Sequence, residues 1–440
     1  MKLQAVGRLL FLGLVVVLLT TSITAAQDVI ELTATAVGVG TTATALQAVA
    51  DQWNADHPEI QVRVEARPDD VTWQAAAPST EFAASDGPDL SWWWCTRAQS
   101  WRDMSATGML APLDDLYESE GWVDAFPSGT LDYFRDPEDG HYYGVQIDTV
   151  WTPIIYYNAD VFEELGLSEP TTWEEFFAVS DALTEAGYIP MSAVYDMQLQ
   201  NHLPQALMLR SWTLDEYNAF AQNWSGGADP ATFDFHWTDP NSVRIFQTIK
   251  DMADHNVWGE GFQALTDYNQ AISLFTSEAA AMYVMGIWEA GASVASAEFN
   301  VDWFYYPSIE GQEPLGVVGS WPANCFIVFE DRPHVEESKQ FLAYLISPEG
   351  MQVYMEAGGL PPGRADLSAD MLGTVLHENT TAIAGEVAEL GSVPLWEAYV
   401  TPELFQGIRE QIDLMLSGVV TPEEAAAAIE ELNIESRENN

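Results

Sequence analysis

Three consecutive tryptophans, Trp92-Trp93-Trp94, are the most conspicuous side chains in the sequence that could bind a ligand. They end a short apolar run that predicts a strand starting at Asp89. Neighbouring residues of a strand point to opposite faces, so the three rings cannot all enter one core. Flat aromatic faces suit the C–H surfaces of sugar rings, while amides, carboxylates and arginine hold hydroxyl groups. The cluster predicts a carbohydrate contact through at least one ring, with core packing as the alternative.

Sequence patterns of known catalytic and metal sites are absent. There is no Gly-x-Ser-x-Gly, no Walker loop and no His-Glu-x-x-His, because His377-Glu378 lacks the second histidine. The seven histidines are scattered without the spacing of metal ligands. Gly38-Val39-Gly40 imitates a dinucleotide-binding turn, but the pattern is short and ends in Ala43 instead of glycine. We predict no enzyme activity, no metal and no cofactor.

The charge balance of the chain is extreme. Asp and Glu number 67 against 15 Lys and Arg, a formal net charge of −52. Nucleic acid is excluded as a partner, since binding it requires many cationic contacts with phosphates. Such a charge also repels itself, and salt at about 1 M shortens the screening length to about 3 Å. A saline native environment is one hypothesis, and an ordinary acidic secreted protein is the other.

The first 26 residues have the pattern of a secretory signal peptide. Lys2 and Arg8 precede the apolar run 9–19, and small residues follow for cleavage near Ala26. The run is too short to span a bilayer, and no cysteine near the cleavage point indicates a lipid anchor. We predict an exported protein, periplasmic or extracellular. Export permits a disulfide between Cys95 and Cys325, the two cysteines, although two separate buried thiols are equally compatible.

The order of the predicted elements is that of an α/β fold. Strands are predicted over 29–36 and 60–64, on either side of a helix over 43–56. Strand–helix–strand is typical of a largely parallel sheet. A strand over 151–157 is predicted to cross into a second lobe, because 440 residues exceed one typical domain. Further helices are predicted over 171–186, with a capping box of Thr172 and Glu175, and over 336–346, 348–356, 402–416 and 422–432.

Motifs in a fixed order run along nearly the whole chain after residue 26. They are Gly87-Pro88-Asp89-Leu90-Ser91-Trp92-Trp93; Tyr143-Gly144-Val145-Gln146 with Tyr156-Tyr157-Asn158-Ala159-Asp160 and Pro170-Thr171-Thr172-Trp173; Phe275-Thr276-Ser277-Glu278 with Gly286-Ile287-Trp288; Lys339-Gln340-Phe341-Leu342 with Ser347-Pro348-Glu349-Gly350; and Thr401-Pro402 with Pro422-Glu423-Glu424-Ala425. Together they resemble the family 1 extracellular solute-binding proteins, the group that includes maltose-binding protein.

The resemblance implies a two-lobed periplasmic-binding-protein fold of type II, with each lobe a mostly parallel sheet flanked by helices. The first lobe would comprise residues 27–146 and 320–360, and the second 147–319 and 361–440. A multi-segment hinge would cross near 145–150, 317–321 and 361–364. The resemblance further implies a monomer that binds a carbohydrate between its lobes and, on closing, presents it to the permease subunits of an ABC importer.

The resemblance also assigns candidate ligand contacts. Asp148 could equally be an ordinary acid, Trp396 a packing residue and Arg364 part of a hinge ion pair. The candidates follow the tryptophan strand, lie at the three crossings, or occupy loops of the second lobe: Trp93, Trp94, Arg97, Asp148, Trp151, Asp196, Gln198, Trp288, Trp321, Arg364 and Trp396.

Other readings of the sequence stay open. An exported glycosidase would be similarly aromatic and acidic, and 67 acids leave room for the carboxylate pair that it needs. The same fold could instead bind a glycerol phosphate ester or a polyamine. A phosphate ester favours a basic cleft, whereas few basic residues are available here. A surface adhesin would have no need of a hinge.

Overall fold

The computed structural model describes most of the chain after the first 28 residues. Below, "the described residues" are 29–38, 41–67, 76–95, 98–126, 131, 133–213, 215–217, 219–220, 235–291, 294–309, 315–367, 378–390, 392–394, 396 and 400–438. The predicted signal peptide, the turn at Val39-Gly40, Arg97 and His377 lie outside them. Among the described helices, none is both long and apolar enough to cross a membrane.

The first sheet has six strands within the described residues. They are β1 (Ile30–Val37), β2 (Ile60–Arg67), β3 (Leu90–Trp94), β4 (Val145–Thr152), β9 (Val317–Val328) and β10 (Ser392–Pro394). Strand β1 pairs in parallel with β2 and β3, and β10 pairs in parallel with β9. Strand β9 runs antiparallel to both β3 and β4. This long strand therefore ties the tryptophan strand to the segment that leaves the sheet at Thr152.

Within the described residues, the second sheet has four strands: β5 (Ile154–Asn158), β6 (Ile189–Ser192), β7 (Ala280–Met285) and β8 (Val301–Phe304). Their order in the sheet is β6-β7-β5-β8. Strand β6 is parallel to β7, whereas β5 is antiparallel to β7 and to β8. The α/β class is confirmed, but both sheets are mixed because strands that cross between them run back against their neighbours.

Helices cover both sheets. Those of the first half of the chain are α1 (Thr42–Asp56), α2 (Ala98–Ala106), α3 (Asp114–Ser119), α4 (Trp122–Ala125), α5 (Ala159–Leu165), α6 (Trp173–Ala186) and α7 (Leu203–Ser211). Those of the second half are α8 (Pro240–Asp254), α9 (Tyr268–Thr276), α10 (Val335–Ile346), α11 (Pro348–Glu356), α12 (Glu378–Leu390), α13 (Pro402–Leu416) and α14 (Pro422–Glu438).

Local sequence signals account for the bounds of α6. The side chain of Thr172 accepts the Glu175 N–H, and Glu175 accepts the Thr172 N–H, which confirms the predicted capping box. Gly187 ends the helix in the left-handed conformation, at φ 94°. The capping box and the terminal glycine thus fix both ends of a helix that packs onto the core of the second sheet.

Consecutive tryptophans of β3 enter different cores, as strand alternation requires. Trp92 is buried in the core between the first sheet and α1, and half-buried Trp94 packs beside it with the ring centroids 5.9 Å apart. Trp93 points to the other face and packs against Phe82, 5.2 Å between centroids. The strand is therefore anchored on both faces.

Cys95 and Cys325 form a disulfide, with their Cα atoms 5.9 Å apart. The bond joins the residue after β3 to the middle of β9, where the two strands are already in antiparallel register. Both cysteines are fully buried beside Trp93. Of the two alternatives left by the sequence, the structure has the disulfide.

Candidate functional site

Three chain segments lie side by side where the sheets meet. Strand β4 pairs with β9, and residues 361–363 hydrogen-bond to β4 through Thr149 N–H to Pro361 O at 2.7 Å and Gly363 N–H to Ile147 O at 2.9 Å. These are the segments predicted as hinge crossings. Strands β4 and β10, within stretches assigned to the second lobe, pair with β9 of the first sheet, while the lobe boundaries themselves stay a prediction.

Asp148 lies buried among these segments and has protein partners. Its carboxylate accepts hydrogen bonds from Asn324 Nδ2 at 2.6 Å and from the Tyr354 hydroxyl at 2.8 Å. Burial raises the pKa of this carboxyl to about 7, against the lowering effect of the two hydrogen bonds. Asp148 thus connects β4, β9 and α11 at the hinge, which accounts for its burial without a ligand.

Trp288 presents a half-buried ring beyond the end of β7. The ring lies against the backbone of Gly286, where an added Cβ would meet ring carbon Cζ3 at 1.9 Å. The indole N–H donates to the Tyr268 hydroxyl oxygen at 2.5 Å, and that hydroxyl donates to the buried carboxylate of Glu289. Gly286, Tyr268 and Glu289 therefore hold the ring in one orientation.

His202 stands next to this ring, with centroids 6.3 Å apart and planes at 71°. Its Nδ1 is 3.2 Å from the Thr152 hydroxyl, at the end of β4. Burial lowers the His202 pKa to about 4, so the imidazole is neutral near pH 7. Trp151 precedes Thr152 and is 9% exposed, packed in the core beside the same region. The end of β4 and the Trp288 ring thus border one another.

A π-helical turn, Tyr195–His202, brings further polar groups to this place. Such turns occur frequently at functional sites. Gln198 is 1% exposed, and its Nε2 lies 3.0 Å from Met285 Sδ, one residue before Gly286. Its Oε1 is buried and has no hydrogen-bond partner within the described residues. Asp196, half-buried, accepts the Met197 N–H at 2.9 Å. Gln198 therefore has an unpaired acceptor at the end of β7, the strand that Trp288 follows.

Trp94 and Trp321 belong to strands of the first sheet, at the junction where the two sheets meet. Both Trp94 and Asp148 stand opposite Asn324 of β9, so the end of β3 and the crossing flank the same point of that strand. Trp321 lies in β9 three residues earlier, next to Ser320, which is opposite Val150. The end of β3 and strand β4 thus lie on the two edges of β9, and predicted Arg97 follows β3, outside the described residues.

Three other candidates are held by the protein itself. Trp93 is 2% exposed in its core. Trp396 is fully buried, and its indole N–H donates to Asn201 Oδ1 at 2.7 Å. Arg364 forms two hydrogen bonds with Asp366, at 2.7 and 2.8 Å, and Nη1 donates to Ile346 O at 2.5 Å. These partners match the structural alternatives stated for Trp396 and Arg364.

The structure therefore brings Trp151, Gln198 and Trp288 together and places Asp196 in the same turn as Gln198. It adds His202 and Tyr268, which the sequence analysis did not select. The polar run Gln198-Leu199-Gln200-Asn201-His202 was a usable signal for His202. Tyr268 gave no signal, because its role depends on a contact with a ring twenty residues away.

Two mixed sheets joined by adjacent crossing strands define a two-lobed ligand-binding fold. A family model described as bacterial extracellular solute-binding protein matches residues 48–379. The chain belongs to this family, which consists of binding proteins rather than enzymes and acts outside the cytoplasm.

Three known proteins illustrate what the chain is similar to. The multiple sugar-binding protein of Streptococcus mutans is 27% identical over 217 residues, 47% of this chain and 48% of that protein. The chain thus spans about half the length of this relative. A chitin oligosaccharide binding protein superposes with a TM-score of 0.74 at 20% identity, over 93% of this chain and 99% of the other. A protein from a study of xylan utilization by the thermophilic bacterium Caldanaerobius polysaccharolyticus gives 0.73 at 21%, over 91% and 99%. These two likenesses confirm the fold.

Proposed function

We propose that this protein captures a neutral mono- or oligosaccharide between its lobes and delivers it to the permease subunits of an ABC importer. The observation that carries the proposal is the half-buried Trp288 ring, together with the unpaired acceptor of Gln198, whose side chain contacts Met285 three residues before that ring. A ring face stacks on the C–H surface of a sugar, and a buried amide oxygen without a partner is satisfied by a hydroxyl donor.

The charge state of the candidate site favours a neutral ligand. Gln198 and Thr152 carry no charge, and burial keeps His202 neutral at pH 7. Glu289 accepts the Tyr268 hydroxyl and is thus engaged in orienting Trp288. A glycerol phosphate ester would need cationic donors at this place. The names of the sugar-binding relatives support the same ligand class.

Delivery to a transporter, action as a monomer, export through the 1–26 signal peptide and the absence of catalysis are parts of the same proposal. They rest on membership of the solute-binding family. Thermal unfolding of the protein against mono- and oligosaccharides, glycerol phosphates and polyamines tests the ligand class, since a ligand that binds the native state raises the midpoint. Recovery of an unchanged sugar supports a receptor, whereas recovery of a cleaved sugar supports the glycosidase alternative.

We expect Trp288→Ala to weaken binding of the sugar found in that screen at least about tenfold, because the stacking face is lost. Gly286→Ala should weaken it as well, since the added methyl group displaces the ring without removing it. Isothermal titration calorimetry measures both affinities.

Trp303→Ala is the matched control, because Trp303 is also half-buried in the second sheet but packs against Tyr305 instead of Gly286. It should leave the affinity within about twofold. Equal losses in the Trp303 and Trp288 variants, or an unchanged affinity in Trp288→Ala, would contradict the proposed stacking role.

A further inference from the structure

A small pocket lies where the second sheet passes into the crossings, and Thr152, the hydrogen-bond partner of His202, is one of its lining residues. Its space is about that of one water molecule. The wall is mainly apolar. It is formed by the link between β4 and β5, by helix α7 and by residues at both ends of the segment that connects β8 to β9. The lining residues are Thr152, Pro153, Ala206, Leu209, Arg210, Tyr305, Tyr306 and Gly316.

Arg210 is the charged group of this pocket and is 6% exposed. Its Nε donates to Tyr306 O at 2.9 Å and its Nη1 to Gly316 O at 2.7 Å. Gly316 has a φ of 116°, a conformation that suits glycine and sets its carbonyl towards the guanidinium. Both acceptors are neutral carbonyls, and within the described residues Nη2 makes no hydrogen bond.

Arg210 has no carboxylate partner among the described residues, which is unusual for a buried arginine of this chain. Buried charges in proteins are normally paired, because an uncompensated charge in a poorly polarisable interior is strongly destabilising. Two other buried arginines, Arg332 and Arg364, form ion pairs with Asp331 and Asp366. Arg210 forms none with any described residue, although the sequence has 67 acids. Burial lowers its pKa to about 10, so the cation persists at neutral pH.

Tyr305 also lines the pocket. The Tyr305 hydroxyl is buried and has no hydrogen-bond partner among the described residues. Its ring centroid lies 5.9 Å from the Arg210 guanidinium carbon. The Arg210 charge lowers the pKa of Tyr305, while burial and the exposed Glu386 raise it more. The Glu386 carboxylate is thus close enough to act on Tyr305, and its negative charge would repel an anion in the pocket.

We propose that the Arg210 pocket binds a single small monovalent inorganic anion, with chloride as the natural occupant, held by Arg210 and Tyr305. The few donors and the apolar wall suit a weakly hydrated halide, whereas sulfate or phosphate would need several more donors. The anion neutralises the buried guanidinium and joins the β4–β5 link to the return into β9. Its binding therefore stabilises the junction of the lobes and does not depend on the proposed sugar.

The first test is crystallographic and needs no variant. Crystals of the sugar-free protein grown or soaked in sodium bromide should give an anomalous difference peak within hydrogen-bonding distance of Arg210 Nη2. A pocket that contains a water molecule or a protein carboxylate instead of bromide overturns the proposal.

The second test separates site binding from ionic screening. At equal ionic strength and without sugar, we expect the thermal midpoint of the wild type to be higher in sodium chloride than in sodium gluconate. This chloride effect should exceed that of Arg210→Gln by about 2 °C or more. Arg63→Gln removes an equal charge from an exposed ion pair and should keep the chloride effect. Tyr305→Phe should reduce it, and Glu386→Gln should increase it.

The same chloride preference in Arg210→Gln as in the wild type would contradict the site, because general salt effects on stability act on both proteins alike. If Arg210→Gln does not fold, the Tyr305→Phe and Glu386→Gln variants decide, and an unchanged chloride effect in both would contradict the proposal. Failure of this test leaves the sugar proposal intact, since no sugar is present.

Discussion

Replacing Cys95 and Cys325 together by alanine is expected to lower the free energy of unfolding by about 5 kcal/mol. The two residues are 230 positions apart, so the bond closes a loop that contains the whole second sheet. A cross-link over so long a loop removes much of the conformational freedom of the unfolded chain, and the loop length alone sets this estimate. Alanine avoids placing a buried hydroxyl in the core around Trp93.

Urea denaturation of the wild type, of the double variant and of the wild type with dithiothreitol measures this effect. The reduced wild type should resemble the double variant, since both lack the cross-link. The slope of the free energy against urea should rise in both, because an unbridged chain exposes more surface on unfolding. A loss below about 1 kcal/mol would show that the bond does little to restrict the unfolded chain.

The disulfide also bears on the candidate site. It fixes the residue after Trp94 to β9, the strand that carries Trp321 and faces the crossing strand β4. The bond therefore holds the end of β3 on β9, across that strand from β4. Loss of the bond should loosen this side of the site more than the Trp288 side, which belongs to the other sheet.

Features that depend on a few neighbouring residues could be predicted from the sequence. The capping box of α6 and the alternate burial of Trp92 and Trp93 follow from local spacing, and both are observed. The predicted strand over 151–157 is in fact two strands, β4 and β5, that meet at Pro153 and belong to different sheets. Local alternation does not reveal to which sheet a strand belongs.

Features that depend on distant contacts could not be predicted. The orientation of Trp288 rests on Tyr268, and the place of His202 beside it rests on Thr152, fifty residues earlier. The choice between a disulfide and two thiols required the distance between β3 and β9. Several selected residues, such as Trp396, have partners that periodicity does not show, because a buried aromatic and a ligand-facing aromatic share the same sequence signal.

The second large effect concerns pH and Asp148. The folded pKa of Asp148 is about 7, whereas the ordinary value is 3.8, so between these values the folded state holds a proton that the unfolded state has lost. The stability that Asp148 contributes is therefore present below about pH 4, and about 4 kcal/mol of it is lost as the pH rises to about 7.

His202 acts in the opposite direction. Its folded pKa is about 4 against 6.5, so the unfolded state binds the extra proton and stability increases across that window by about 3 kcal/mol.

Asp148→Asn isolates the first of these contributions. The amide mimics the protonated acid, because its oxygen can accept from Asn324 while its NH₂ donates to the Tyr354 hydroxyl. We expect the variant to gain stability over the wild type by about 4 kcal/mol between pH 4 and pH 8, measured by urea denaturation at constant salt. Asp124→Asn is the control, because it also removes one carboxylate but from an exposed position. It should show no such trend. Parallel pH profiles of wild type and Asp148→Asn would contradict the raised pKa.

Ionisation of Asp148 also changes the hinge itself. Below about pH 7 the protonated acid can donate a hydrogen bond, whereas the carboxylate only accepts from Asn324 of β9 and Tyr354 of α11. A buried negative charge then lies where β4, β9 and residues 361–363 meet, and any movement that admits water to it becomes more favourable.

Raising the pH from 6 to 8 should therefore favour opening of this junction between the two sheets in the wild type and not in Asp148→Asn. Small-angle X-ray scattering of the ligand-free proteins measures this as a larger radius of gyration at pH 8 in the wild type alone. Equal radii at both pH values would show that the proton on Asp148 affects stability without affecting lobe closure.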